Sequence, residues 1–173
     1  MAFSLQEVLS DVFLSTKEKT ETISKALLEA QLDAAHLIAF AATSKDPIKA
    51  TCIEAVEFAT HQVPGIANKA VLDFVTKELS AKAPRVKWES AKVIAHIAPI
   101  FPEHLSDAVN ALLVNTEHSG TVVRWSAATA LGEILKLNLP RFNALRPALE
   151  VVCEREEKNS IKKIYQAAFK KAL

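Results

Sequence analysis

Two tryptophans, Trp88 and Trp125, are the residues of this 173-residue sequence best suited to recognition chemistry. Each follows an aliphatic residue and a cation, Val86-Lys87 and Val123-Arg124, and small and aliphatic residues then follow at helical spacing. Residues 83–97 (APRVKWESAKVIAHI) and 120–134 (GTVVRWSAATALGEI) are therefore two copies of one pattern. An indole offers a broad apolar face that also attracts cations, and such rings dominate many interfaces. Catalytic constellations are absent from the sequence: it has no G-x-S-x-G, no glycine-rich phosphate loop, no H-E-x-x-H and no Cys/His ligand spacing. No catalytic residue, cofactor site or metal site is expected. Of the five histidines, His96 and His104 are the only sequence-close pair, and a bend with Pro99 and Pro102 separates them; no carboxylate or thiol completes a ligand set. Cys52 lacks an adjacent base and is expected to be a small packing residue, and Cys153 lies far from it.

The elements that position these residues are helices. Half the residues are hydrophobic and only three are Gly, which favours helix over strand. With 21 cations against 20 acids the net charge is +1, so no global field points to nucleic acid or an anionic membrane. The N-terminal stretch MAFSLQEVLSDVF has no basic region and is not a secretory signal. No apolar run approaches ~20 residues, so no membrane span is expected. Two unpaired cysteines then suit a reducing compartment, and the expected location is cytoplasmic.

Ser4-Leu5-Gln6-Glu7 has the form of a capping box, and Leu5, Val8, Leu9, Val12 and Phe13 follow on one helical face. Ser15 to Glu18 repeats the capping pattern. Asp46-Pro47 supplies an N-cap and an early proline for a helix reaching Gln62. Pro84, Pro102, Gly120, Pro140 and 158–160 punctuate the rest. Ten helices in five hairpins result, with Pro147 tolerable if the ninth helix starts near Arg146.

Ile48-Lys49, Val86-Lys87, Val123-Arg124 and Ile161-Lys162 lie 38, 37 and 38 residues apart, each opening the second helix of a hairpin. Seven residues on stand Ala55, Val93, Ala130 and Ala168, and eight on stand Val56, Ile94, Leu131 and Phe169. The chain thus resembles HEAT repeats, whose second helix reads Val-Arg-x-x-Ala-x-x-Ala-Leu-Gly; VRWSAATALG at 123–132 matches most closely. The resemblance implies an all-α, right-handed α–α superhelix, an α-solenoid of about five hairpins, over 1–173 as one domain. Residues 1–31 would cap it and 32–173 would form four repeats of 37–38 residues. The family's aspartate before the Val-Arg pair survives only as Asp46 and its glycine only as Gly132.

The resemblance also implies that second helices line the concave side. At about 100° per residue, positions 0, 7, 8 and 11 of each second helix face the core, while positions 2, 6 and 9 face away. That outward stripe reads Ala50, Glu54, Glu57; Trp88, Lys92, Ala95; Trp125, Thr129, Gly132; and Lys163, Ala167, Lys170. Each tryptophan is followed two turns later by a tiny residue, Ala95 or Gly132, which leaves a groove. Two outcomes are open, exposed binding anchors or indoles that cover each other. Segment 44–62 carries −1 and 157–173 carries +4, so the groove is expected to be basic toward its C-terminal end and to attract acidic segments there. Lys49, Lys87, Arg124 and Lys162, at position 1, point sideways and are expected to brace neighbouring repeats.

The expected function is a non-enzymatic, monomeric scaffold that binds a protein partner, with Trp88, Lys92, Trp125, Thr129, Lys163, Lys170, Glu54 and Glu57 along the binding face. Armadillo repeats that bind basic peptides place asparagine one turn after tryptophan, whereas Lys92 and Thr129 stand here. The alternative is a nucleic-acid-binding protein or a HEAT-like DNA glycosylase for alkylated bases, with Glu89 and Glu133 as the nearest acids. HEAT-like bilin lyases are a further enzymatic relative.

Overall fold

The computed structural model describes residues 2–173; Met1, the first residue of the expected capping hairpin, lies outside them. The helices come in pairs. They are α1 (Leu5–Ser10) with α2 (Thr16–Leu28), α3 (Ala34–Ala42) with α4 (Asp46–Gln62), α5 (Lys69–Glu78) with α6 (Pro84–Ile97), α7 (Ser106–Asn115) with α8 (Thr121–Leu135), and α9 (Leu145–Arg155) with α10 (Asn159–Lys171). Prolines open short 3-10 turns at Pro64–Ile66, Pro102–His104 and Pro140–Phe142.

Local chemistry sets most helix starts. Ser15 and Glu18 form a reciprocal capping box, and Asp33 and Asn68 cap α3 and α5 with their side chains. Pro84 begins α6, where its missing N–H is no loss, and Pro147 falls in the first turn of α9. Asp46 is not the N-cap expected of it: Lys45 holds that position and Asp46 is already helical. The first helix is also shorter than its apolar pattern. It stops at Ser10, and the Asp11 carboxylate accepts the Phe13 N–H at 2.8 Å, turning the chain and leaving Val12 and Phe13 almost fully exposed.

Second helices stack on one another, α2 on α4 on α6 on α8 on α10, and far more extensively than the first helices α3, α5 and α7 do. The stack therefore closes toward the second helices, which form the inner face of an all-α solenoid. One continuous apolar core runs between the two layers, and in α6 the residues Val86, Val93, Ile94 and Ile97 are wholly buried. Burying such side chains stabilises by ~1.5–3 kcal/mol each.

Cations near the start of the second helices tie each pair to the next. Lys49 lies 3.4 Å from the Glu78 carboxylate at the end of α5. Lys87 donates to the Leu79 carbonyl and to Asn115 Oδ1 at the end of α7, both at 3.2 Å. Arg124 grips Glu156, the C-cap of α9, through Nε at 3.1 Å and Nη2 at 3.3 Å.

Behind α2 the chain reverses through Ala30 at φ 56°, while Gln31 and Leu32 donate back to the Ala26 carbonyl. A left-handed alanine is strained where glycine is not. Ala30→Gly should therefore stabilise the protein by about 0.5–1 kcal/mol, which chemical denaturation would register as a higher midpoint at unchanged slope.

Candidate functional site

The inner face divides into two chemically distinct halves. In the first, α4 and α6 present carboxylates and cations that satisfy each other. Arg85 Nη2 donates to Glu54 at 2.8 Å while Nη1 reaches Thr51 Oγ1 at 3.4 Å. Lys92 Nζ sits between Glu89 at 3.4 Å and Glu57 at 3.8 Å. Trp88 Nε1 donates to Glu89 at 2.9 Å, so the indole is half-buried and turned toward its own neighbour in sequence. Beyond Glu57 lies His96, at 3.8 Å, whose ring meets that of His61 at a centroid distance of 4.9 Å.

Burial dominates the titration of this cluster. It pushes the Glu57 and Glu89 carboxyls above the ordinary value of 4.5, with Lys92 opposing it in both cases. Burial, reinforced by the charge of His61, holds His96 below its ordinary value of 6.5. For Glu89 the folded chain holds a proton more tightly than the unfolded chain does. The Glu89 contribution to stability is then greatest below pH 4.5 and falls as pH rises through the folded value. Glu89→Gln keeps an acceptor for Trp88 without the buried charge. It should raise the Tm at pH 7, and the gain should shrink on acidification, which thermal melts at several pH values would register.

In the second half, α8 and α10 leave a slot. Trp125, at 39% exposure, stands over it, and Thr129, Gly132, Ile164, Ala167 and Ala168 line it. The Thr129 hydroxyl donates to the Trp125 carbonyl at 3.0 Å rather than outward. A Cβ on Gly132 would meet the Ala168 Cβ at 3.2 Å, so glycine allows α10 to approach. Lys163 and Lys170 are exposed along the α10 edge.

Several sequence expectations are corrected by these positions. Glu57, Ala95 and Gly132, all at position 9, are buried rather than outward, because the second helices pack shoulder to shoulder and position 9 faces the next helix; Ala50, at position 2, is buried as well. Glu54, Glu57 and Lys92 neutralise one another and Arg85, so they do not present free charge to a partner. Trp88 and Trp125 do not stack; the aromatic pairs among the described residues are His61–His96 and Tyr165–Phe169. His96 meets His61, not His104. Sequence reasoning missed Arg85, His61 and the slot residue Ile164. The spacing of 35 residues between His61 and His96, close to the repeat length, was the available signal.

Cys52 is buried and its thiol is pushed up to about 12 by burial, which removes it as a nucleophile near neutral pH. Among the described residues, no group of three or more His, Cys, Asp or Glu is arranged to hold a metal ion, and no helix is long and apolar enough to cross a membrane.

No protein-family model matches the sequence, and no curated protein does. Solved structures do match. A designed armadillo repeat protein superposes with a TM-score of 0.69 at 15% identity, covering 96% of this chain and 80% of that one. The fold is an armadillo/HEAT-like repeat solenoid. A computationally designed armadillo repeat protein for modular peptide recognition gives 0.73 at 16% identity, covering 98% and 81%. A third, designed and in complex with the peptide (KR)4, gives 0.67 at 13% identity, covering 96% and 79%. These likenesses establish the armadillo-like fold, within which the α4–α6 charge cluster and the α8–α10 slot are features of this chain's own side chains.

Proposed function

We propose that this chain is a non-enzymatic scaffold that binds a protein or peptide partner along its inner face, with Trp125 as the main anchor and Lys163 and Lys170 steering acidic groups. The observation that carries the reading is an exposed indole beside an apolar slot on the face made by the stacked second helices. Two of the armadillo neighbours are described by peptide recognition or a bound peptide, which supports a peptide-binding use of this fold. The likeness does not extend to a basic ligand such as (KR)4, because the carboxylates of α4 and α6 are already paired with Arg85 and Lys92. A cytoplasmic location suits the buried, unpaired Cys52 and Cys153.

Replacing Trp88 and Trp125 together with alanine should weaken partner capture from a native extract by about tenfold or more, with helicity retained. Unchanged capture would sink the reading. A nucleic-acid alternative has one observation in its favour, the four lysines of α10. It requires affinity for DNA or RNA that falls steeply with added salt, and absence of binding at low salt removes it.

A further inference from the structure

The slot between α8 and α10 specifies more than a general binding face, and what it specifies rests on the inner-face reading above. Its volume is about 260 Å³, below the ~300–1,000 Å³ of small-molecule sites. That size suits a single side chain. Trp125 and Gly132 form one wall and Ile164, Ala167 and Ala168 the other. At the equivalent place beside Trp88, alanine (Ala95) stands where Gly132 does and the indole is tied to Glu89.

Charge decides what surrounds that side chain. Helix α10 carries Lys162, Lys163, Lys170 and Lys171 and no acid. The ion pairs of the C-terminal half, Arg124–Glu156, Lys136–Glu133, Arg141–Glu103, Arg146–Glu150 and Arg155–Glu117, use none of these lysines. Glu133, the acid at the slot's rim, is already paired with Lys136.

We infer that the slot receives one large apolar side chain from a partner segment whose flanking residues are acidic, the carboxylates lying against Lys163, Lys170 and Lys171. The apolar side chain supplies burial against the indole, and the charges set register and speed of encounter. A basic segment would find uncompensated lysines at both ends of the α10 wall.

A random peptide library displayed on phage and panned on the full chain tests this. Enriched peptides are then titrated by fluorescence anisotropy against the wild type, Ala167→Phe and the double variant Lys170→Glu/Lys171→Glu. All three positions are exposed, so the far-UV spectrum and melting curve should match the wild type. The expected peptides are net acidic with one large apolar residue, and each variant weakens them by at least about tenfold. Basic peptides, or peptides indifferent to Ala167→Phe, overturn the slot assignment. If such peptides still lose affinity on Trp88→Ala, the inner-face reading survives without it. Absence of enrichment, or enrichment independent of every inner-face substitution, overturns both. Self-association abolished by Ala167→Phe also overturns it, giving the slot to a second copy presenting its exposed Phe13.

Discussion

Arg124→Ala should cost about 3–5 kcal/mol of folding stability, the range for removing one partner of a buried ion pair. Arg124 holds both oxygens of Glu156, whose side chain is only 3% exposed. Its Nη1 also serves the carbonyls of His118 and Ser119, at 3.0 and 3.1 Å. Alanine leaves the carboxylate with only the Lys158 N–H at 3.0 Å and removes the donor to both carbonyls. Arg124→Lys keeps the charge but not the fork, and should fall between the two. The pH dependence separates this from simple loss of packing. Burial works against the Glu156 charge, but hydrogen bonds from Arg124 and from the Lys158 N–H outweigh it and hold the carboxyl below 4.5. That contribution is present above pH 4.5 and is lost as pH falls through the folded value. With Arg124 gone, burial is opposed only by the backbone N–H groups of Lys158 and Glu157, and the slope should flatten. Urea denaturation at several pH values reads both effects.

Tyr165→Ala should cost about 3–5 kcal/mol, the usual penalty for truncating a buried aromatic. Tyr165 is the largest fully buried side chain and stacks on Phe169 with centroids 6.5 Å apart. It fastens α10 to the core. Because α10 supplies Ile164, Ala167 and Ala168 to the slot, the variant should loosen the slot as well as the fold. Tyr165→Phe keeps the ring and should cost under about 1.5 kcal/mol. Hydrogen exchange would show α10 losing protection first in the alanine variant, and uniform loss across all helices would contradict this account.

The repeat architecture was legible because its signal is redundant. The aliphatic-cation pairs recur at a near-constant interval, and the small-large pair that follows them packs one second helix on the next. Single elements without a repeat behind them were less legible. The apolar pattern at Val12 and Phe13 suggests a longer first helix, but Asp11 turns the chain before they are reached. On the inner face, angular phase picked out the exposed Trp125 and the exposed lysines of α10. It could not show that Glu57 and Ala95 are covered, because phase on one helix is blind to how closely the next approaches. The pairing of Lys92 with acids from two helices, and the meeting of His61 with His96, likewise depend on contacts between repeats.

The inner layer is packed along its whole length, whereas the outer contact dwindles from α3–α5 to α5–α7 and is slighter still between α7 and α9. A rod bonded firmly on one side and loosely on the other bends most easily by opening its loose side. The outer layer is equally slight between α1 and α3, so bending compliance is greatest at the two ends of the stack, and at the C-terminal end the close approach of Gly132 to Ala168 is the fulcrum. Changes in curvature there alter the spacing of α8 and α10 before they alter anything else on the inner face. The same glycine that admits α10 thus makes the width of the slot an elastic property of the chain, and occupancy should stiffen the C-terminal end.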